Sequence, residues 1–156
     1  MSFSTPPHSP DYPIDLEQLL ADGFDIKIKP QGFSMYPLFF PGRDEACIRK
    51  STLAELHRGD VALYRRDSGI LVLHRIWKSD ETSFYMVGDN QTEIEGPLRP
   101  DQIRGKLISF VRNGRSISVS NPLYRLLSTI WLLLRPLRPY FWKFTAFLRS
   151  RRRTVK

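Results

Sequence analysis

Three short segments carry the side chains that could do covalent chemistry. Ser34 lies in Gly32-Phe33-Ser34-Met35-Tyr36-Pro37, between a glycine and a proline. Both residues interrupt regular pairing, so a hydroxyl there can project from a strand end, although most serines in such places are turn formers. His74 lies in Leu73-His74-Arg75-Ile76 and, by alternation, shares a face with Ile70 and Val72. That is the ordinary setting of a satisfied core histidine. Imidazole also titrates near neutrality, which makes it the natural base for activating a serine, with a rate that rises as the ring loses its proton. Asp89 lies in Gly88-Asp89-Asn90, followed by Glu93 and Glu95. Gly, Asp and Asn make a turn by themselves, and a carboxylate there would also serve to orient the histidine and hold its tautomer.

The elements that must position these groups are mostly strands. Residues 1–13, with four of the twelve prolines, read as a flexible arm. Asp15-Leu16-Glu17-Gln18-Leu19-Leu20 predicts a short helix that stops at Gly23. Residues 24–29 then alternate strictly, as a half-buried strand does. Val61–Tyr64 and Ile70–Trp77 flank Asp67-Ser68-Gly69, a hairpin signature. Phe84–Val87 runs into the Gly88 turn, and 106–112 joins 116–119 across Asn113-Gly114, which favours a type I′ turn. The pattern predicts a mostly β protein: a compact coiled or barrel-like domain over 14–120, a short N-terminal helix, and amphipathic helices over 121–156.

The net charge of +8 belongs to the tail. Residues 121–156 hold seven arginines, two lysines and no acid, which leaves 15 basic against 16 acidic residues elsewhere. A near-neutral domain, with basic residues mixed into leucine-rich sequence, argues against nucleic acid as a partner. Over 122–153, leucines at helical spacing alternate with Tyr124, Trp131, Tyr140, Trp142 and basic residues. This combination predicts a segment lying on an anionic membrane surface. A stripe docked on the β domain, or one that covers a partner protein, would satisfy the same pattern. The longest apolar run, between Arg125 and Arg135, is about half the roughly twenty residues a spanning helix needs. The single cysteine, Cys47, excludes an internal disulfide, and the alternation around it suggests a strand.

Taken together and in order, five segments resemble the boxes of the type I signal peptidase family and its wider S24/S26 peptidase class. They are Gly32-Phe33-Ser34-Met35-Tyr36-Pro37, Arg58-Gly59-Asp60-Val61, Leu73-His74-Arg75-Ile76, Gly88-Asp89-Asn90 and Ile103-Arg104-Gly105-Lys106, spread over residues 27–112. The base position holds histidine, as in the endoplasmic-reticulum, archaeal and sporulation branch. The resemblance implies a β domain of signal-peptidase type and a serine endopeptidase that needs no metal or cofactor. It implies Ser34 as nucleophile and His74 as general base. It also implies that Met35 and Pro37, beside the serine, help form shallow pockets for small substrate side chains.

Two departures from that pattern bear on function. The histidine branch has an aspartate at the position occupied here by Glu95. The orienting carboxylate is therefore either Glu95 or Asp89, and a weakened triad would leave a non-catalytic peptide-binding module on the same fold. In addition, the place of the family's membrane-spanning helix is taken by the acidic segment 14–20. The expected location is thus cytoplasmic, or peripheral on the inner face of the membrane. The resemblance is to small stand-alone members found with ribosomally made, modified peptides. On that basis the expected substrate is a precursor or leader peptide.

Overall fold

The computed structural model describes residues 15–144. The chain opens with helix α1 (Leu16–Ala21), capped by the Asp15 carboxylate, which accepts from the backbone N–H groups of Glu17 and Gln18. That bond satisfies amides a first turn leaves unpaired. Eight strands follow: β1 (Ile26–Ile28), β2 (Glu45–Arg49), β3 (Val61–Arg65), β4 (Leu71–Ser79), β5 (Phe84–Val87), β6 (Glu95–Leu98), β7 (Ile103–Arg112) and β8 (Arg115–Ser118). They form one antiparallel sheet in the order β1-β2-β7-β3-β4-β5-β6, with β8 added alongside β7. The fold is mostly β, and its sheet is open, with β1 and β6 at the ends of the path.

β3 is the strand on which the site depends. Its inner residues Val61, Ala62, Leu63 and Tyr64 are all buried, because the sheet carries a core on each face. Val61 and Leu63 belong to one core, with Leu20, Ile26, Phe39 and Phe110. Ala62 and Tyr64 belong to the other, with Ile76, Phe84, Met86 and Leu98. Period-two alternation sends successive side chains to opposite faces. The β3–β4 register pairs Ala62 with His74 and Tyr64 with Val72, so His74 and Tyr64 lie on the same face.

The β7–β8 turn is as expected: Asn113 and Gly114 both have positive φ, 51° and 75°, the mirror-image turn that suits a two-residue hairpin. β6 is an element the sequence reading did not anticipate. It contains Pro97, which cannot donate to a ladder and is tolerated because β6 is an edge strand.

After β8, helix α2 spans Pro122–Leu133, with the Asn121 side chain accepting from the first free amides. A single 3₁₀ turn, Arg135–Leu137, follows, and the chain is helical again over 138–144. The predicted arm over 1–13 and the basic block at 149–153 lie outside the described residues.

Candidate active site

His74 is held by a chain of hydrogen bonds that ends on a carboxylate. The Tyr64 hydroxyl lies 3.1 Å from His74 Nδ1 and donates to Glu95 Oε2 at 2.7 Å. Because the tyrosine proton is committed to Glu95, the tyrosine oxygen is left to accept, and Nδ1 must be the protonated nitrogen of the neutral ring. Nε2 then carries the lone pair, and neither it nor Ser34 Oγ has a hydrogen-bond partner among the described residues. The expected direct contact between Glu95 and His74 is replaced by this bridge, since Oε2 lies 3.8 Å from Nδ1. Glu95 is itself gripped by Arg66, whose Nε and a terminal nitrogen donate to its two oxygens at 2.6 and 2.5 Å.

Burial decides the protonation states. His74 is 3% exposed, and burial is the main reason its pKa falls to about 4, with Arg66 pushing the same way and Glu95 and Asp89 opposing. The ring is neutral at pH 7. Burial first, then the Glu95 carboxylate, push the Tyr64 phenol far above its ordinary range, so it keeps its proton. Burial alone would raise the Glu95 carboxyl, but the hydrogen bonds from Arg66 and Tyr64 outweigh it and hold the group ionised.

Ser34 reaches this region through its backbone. Its carbonyl accepts from Asn90 N–H at 2.7 Å. Gly88 is pressed against the same carbonyl, because a Cβ built there would stand 2.7 Å from it. β5 pairs Val87 with Arg75 on β4, and continuing that register by one residue sets Gly88 opposite His74. The serine loop therefore rests on the residue cross-strand from the histidine.

Asp89 does not orient the histidine; it is the partner of Arg75. The guanidinium donates to both Asp89 oxygens at 2.9 Å, and the side chains of the pair are 1% and 0% exposed. Arg75 also donates to the Gly59 carbonyl. The pair thus ties the Gly88-Asp89-Asn90 turn to β4 and to the Arg58-Gly59-Asp60 segment. Met35 is buried, at 3% exposed, in the core of α1 and β2, so it packs the interior rather than walling an open pocket. Pro37 is half-buried and follows a cis bond from Tyr36.

The C-terminal segment closes on the same turn. Trp131 Nε1 donates to the Asp89 carbonyl at 2.8 Å. The buried Arg138 donates to the carbonyls of Gly88 and Gln91 at 2.9 and 2.6 Å. The Trp142 ring lies 5.5 Å from that of Tyr36 in the serine loop. Between this segment and the turn is a concavity of about 610 Å³, with Asn90, Glu95, Arg66, Arg138 and Trp142 in its lining. A larger concavity of about 740 Å³, between β7, β8 and α2, is lined by Arg58, Gly59, Asp60 and Val61 of one motif and contains none of the candidate catalytic residues.

Tyr64, Arg66 and Arg138 are not among the site residues picked out from sequence, and the sequence pattern places Trp131 in the membrane-facing segment rather than as an anchor. For Tyr64 a signal existed: the Asp67-Ser68-Gly69 hairpin sets a register that puts it two residues from the position facing His74, on the same face. No protein-family model, curated protein or solved structure matches the chain.

Proposed function

We propose that the protein is a serine endopeptidase of signal-peptidase type, with Ser34 as nucleophile and His74 as general base, acting on a precursor or leader peptide. The observation that carries this reading is the Tyr64 bridge, whose oxygen accepts from Nδ1–H and so leaves Nε2 as the basic nitrogen of a buried, neutral imidazole. Further support comes from the ordered motifs, from the mostly antiparallel sheet that fits a coiled β domain of that type, and from the serine loop seated on Gly88.

In this mechanism His74 Nε2 takes the Ser34 Oγ proton as the oxygen bonds to the peptide carbonyl carbon. The imidazolium then gives that proton to the leaving amine as the C–N bond breaks, leaving an acyl-enzyme. Water attacks the ester, its proton passing to Nε2 and then to Ser34 as the acid is released. Charge on the imidazolium is offset by Glu95 through Tyr64. The Ser34 backbone N–H, without a partner among the described residues, serves as an oxyanion donor, and losing such a donor costs about 3–4 kcal/mol of transition-state stabilisation.

A peptide-binding module without activity is the second reading. It is favoured by the burial of His74, whose satisfied Nδ1 is also what an ordinary core histidine displays. The two separate on a mixed peptide library analysed by mass spectrometry. Cleavage by the wild type that is lost in Ser34→Ala and His74→Ala supports the peptidase. Equal peptide retention by wild type and Ser34→Ala, with no cleavage, supports the module.

A further inference from the structure

α2 packs with its leucines outward. Its buried residues are Ser128 and Leu132, with Tyr124 and Trp131 half-buried beside them. On the opposite side Leu123, Leu126, Leu127, Ile130 and Leu133 fall on one stripe at 100° per residue, each between 44% and 63% exposed. Single exposed apolar residues are ordinary, but a contiguous row of this length marks a surface that meets something apolar. The helix cannot turn to bury the row without giving up the bonds from Trp131 and Arg138 to the 88–91 turn. Docking of the leucine stripe on the β domain, one of the readings open from sequence, is therefore corrected: the other face docks.

We propose that this stripe is a docking face for an anionic lipid bilayer, on which α2 lies flat while its inner face holds the 88–91 turn and the serine loop. Charge selects this occupant. No acidic residue follows Asp101, and residues 121–156 carry nine basic ones, of which Arg138 is buried against the 88–91 turn. Stacking two copies stripe to stripe would bring two such cationic segments together, whereas acidic headgroups complement them. No helix among the described residues is long and apolar enough to cross a membrane, and an outward leucine row in a segment without acidic residues suits an interfacial helix. That docking sets the peptidase site at the bilayer surface rests on the function proposed above; the docking itself does not.

The test is co-sedimentation of the full chain with vesicles of phosphatidylcholine alone or mixed with phosphatidylglycerol. The wild type is expected to pellet with the mixed vesicles, less so as salt rises, and to stay in solution with phosphatidylcholine. The triple variant Leu126→Glu, Ile130→Glu, Leu133→Glu changes only exposed positions. It should melt as the wild type does yet lose about tenfold or more in vesicle partition. Ser34→Ala should bind as the wild type does, which separates this proposal from the question of activity. Wild type remaining in solution with both vesicles, or the triple variant binding undiminished, would overturn the assignment. So would a dimer abolished by the triple variant in the absence of any vesicle binding, which would give the stripe to a second copy.

Discussion

The Tyr64 hydroxyl stands 3.1 Å from His74 Nδ1 and, on its other side, 2.7 Å from Glu95 Oε2. An orienting carboxylate thus reaches the histidine through a phenol on the neighbouring strand. Tyr64→Phe removes one oxygen and leaves the ring nitrogen without an acceptor in a buried place. An unmade buried hydrogen bond costs about 1–3 kcal/mol. The expected result is a fall in kcat of about tenfold or more with KM little changed. Glu95→Gln should act on the same step, and the double variant should be no slower than the worse single one, because groups in one chain are not additive. Kinetics on a peptide recovered from the library would check this; losses that multiply would separate the two residues.

Arg75 and Asp89 make the opposite prediction, one of stability. With both side chains buried, Asp89→Asn strands a guanidinium away from water, and breaking such a pair costs about 3–5 kcal/mol. Arg75→Met with Asp89→Leu removes both charges together and should recover most of that loss. Urea unfolding of the two variants beside the wild type measures it. A double variant as unstable as Asp89→Asn would mean that the pair's geometry, not its charge balance, holds the turn.

How much of this was legible follows from what each pattern encodes. Alternation located β3 and β4, and Asn113-Gly114 specified its turn, because strand period and left-handed backbone are local properties. β6 was hidden, since Pro97 argues against a strand unless one knows that it lies at an edge. The helical period of α2 showed which residues share a face but not which face meets the protein. That choice was made by Trp131 and Arg138 bonding to backbone carbonyls more than forty residues distant. Asp89 stood out as a carboxylate near the site, while its commitment to Arg75 depends on two strands meeting in space.

Gly88 should tolerate no side chain. A Cβ there would lie 2.5 Å from Gln91 Oε1 and 2.7 Å from the Ser34 carbonyl. The glutamine amide can swing away, but the serine backbone is held by Asn90. Gly88→Ala is expected to cost about 1–3 kcal/mol, as overpacking does, and to depress cleavage by displacing the serine loop. Urea unfolding and the cleavage assay together check this, and an alanine variant of full stability and activity would show that the two loops do not touch.

The buried imidazole fixes a pH dependence. In the folded chain His74 titrates at about 4, against about 6.5 for a free imidazole. Between those values the unfolded chain holds a proton that the folded chain does not, so stability rises with pH there. His74 therefore contributes its full stabilisation above about pH 6.5 and loses it as pH falls toward 4, at no more than about 1.4 kcal/mol per pH unit. The acid limb of cleavage moves with it: the rise expected near 6.5 from an unperturbed histidine shifts to about 4, and the rate should be level between pH 5 and 8 as far as this group decides it. The chain has three histidines, few enough to follow singly by NMR with His74→Ala as the assignment. A His74 midpoint near 6.5 would mean that water reaches the ring and that Tyr64 does not hold it.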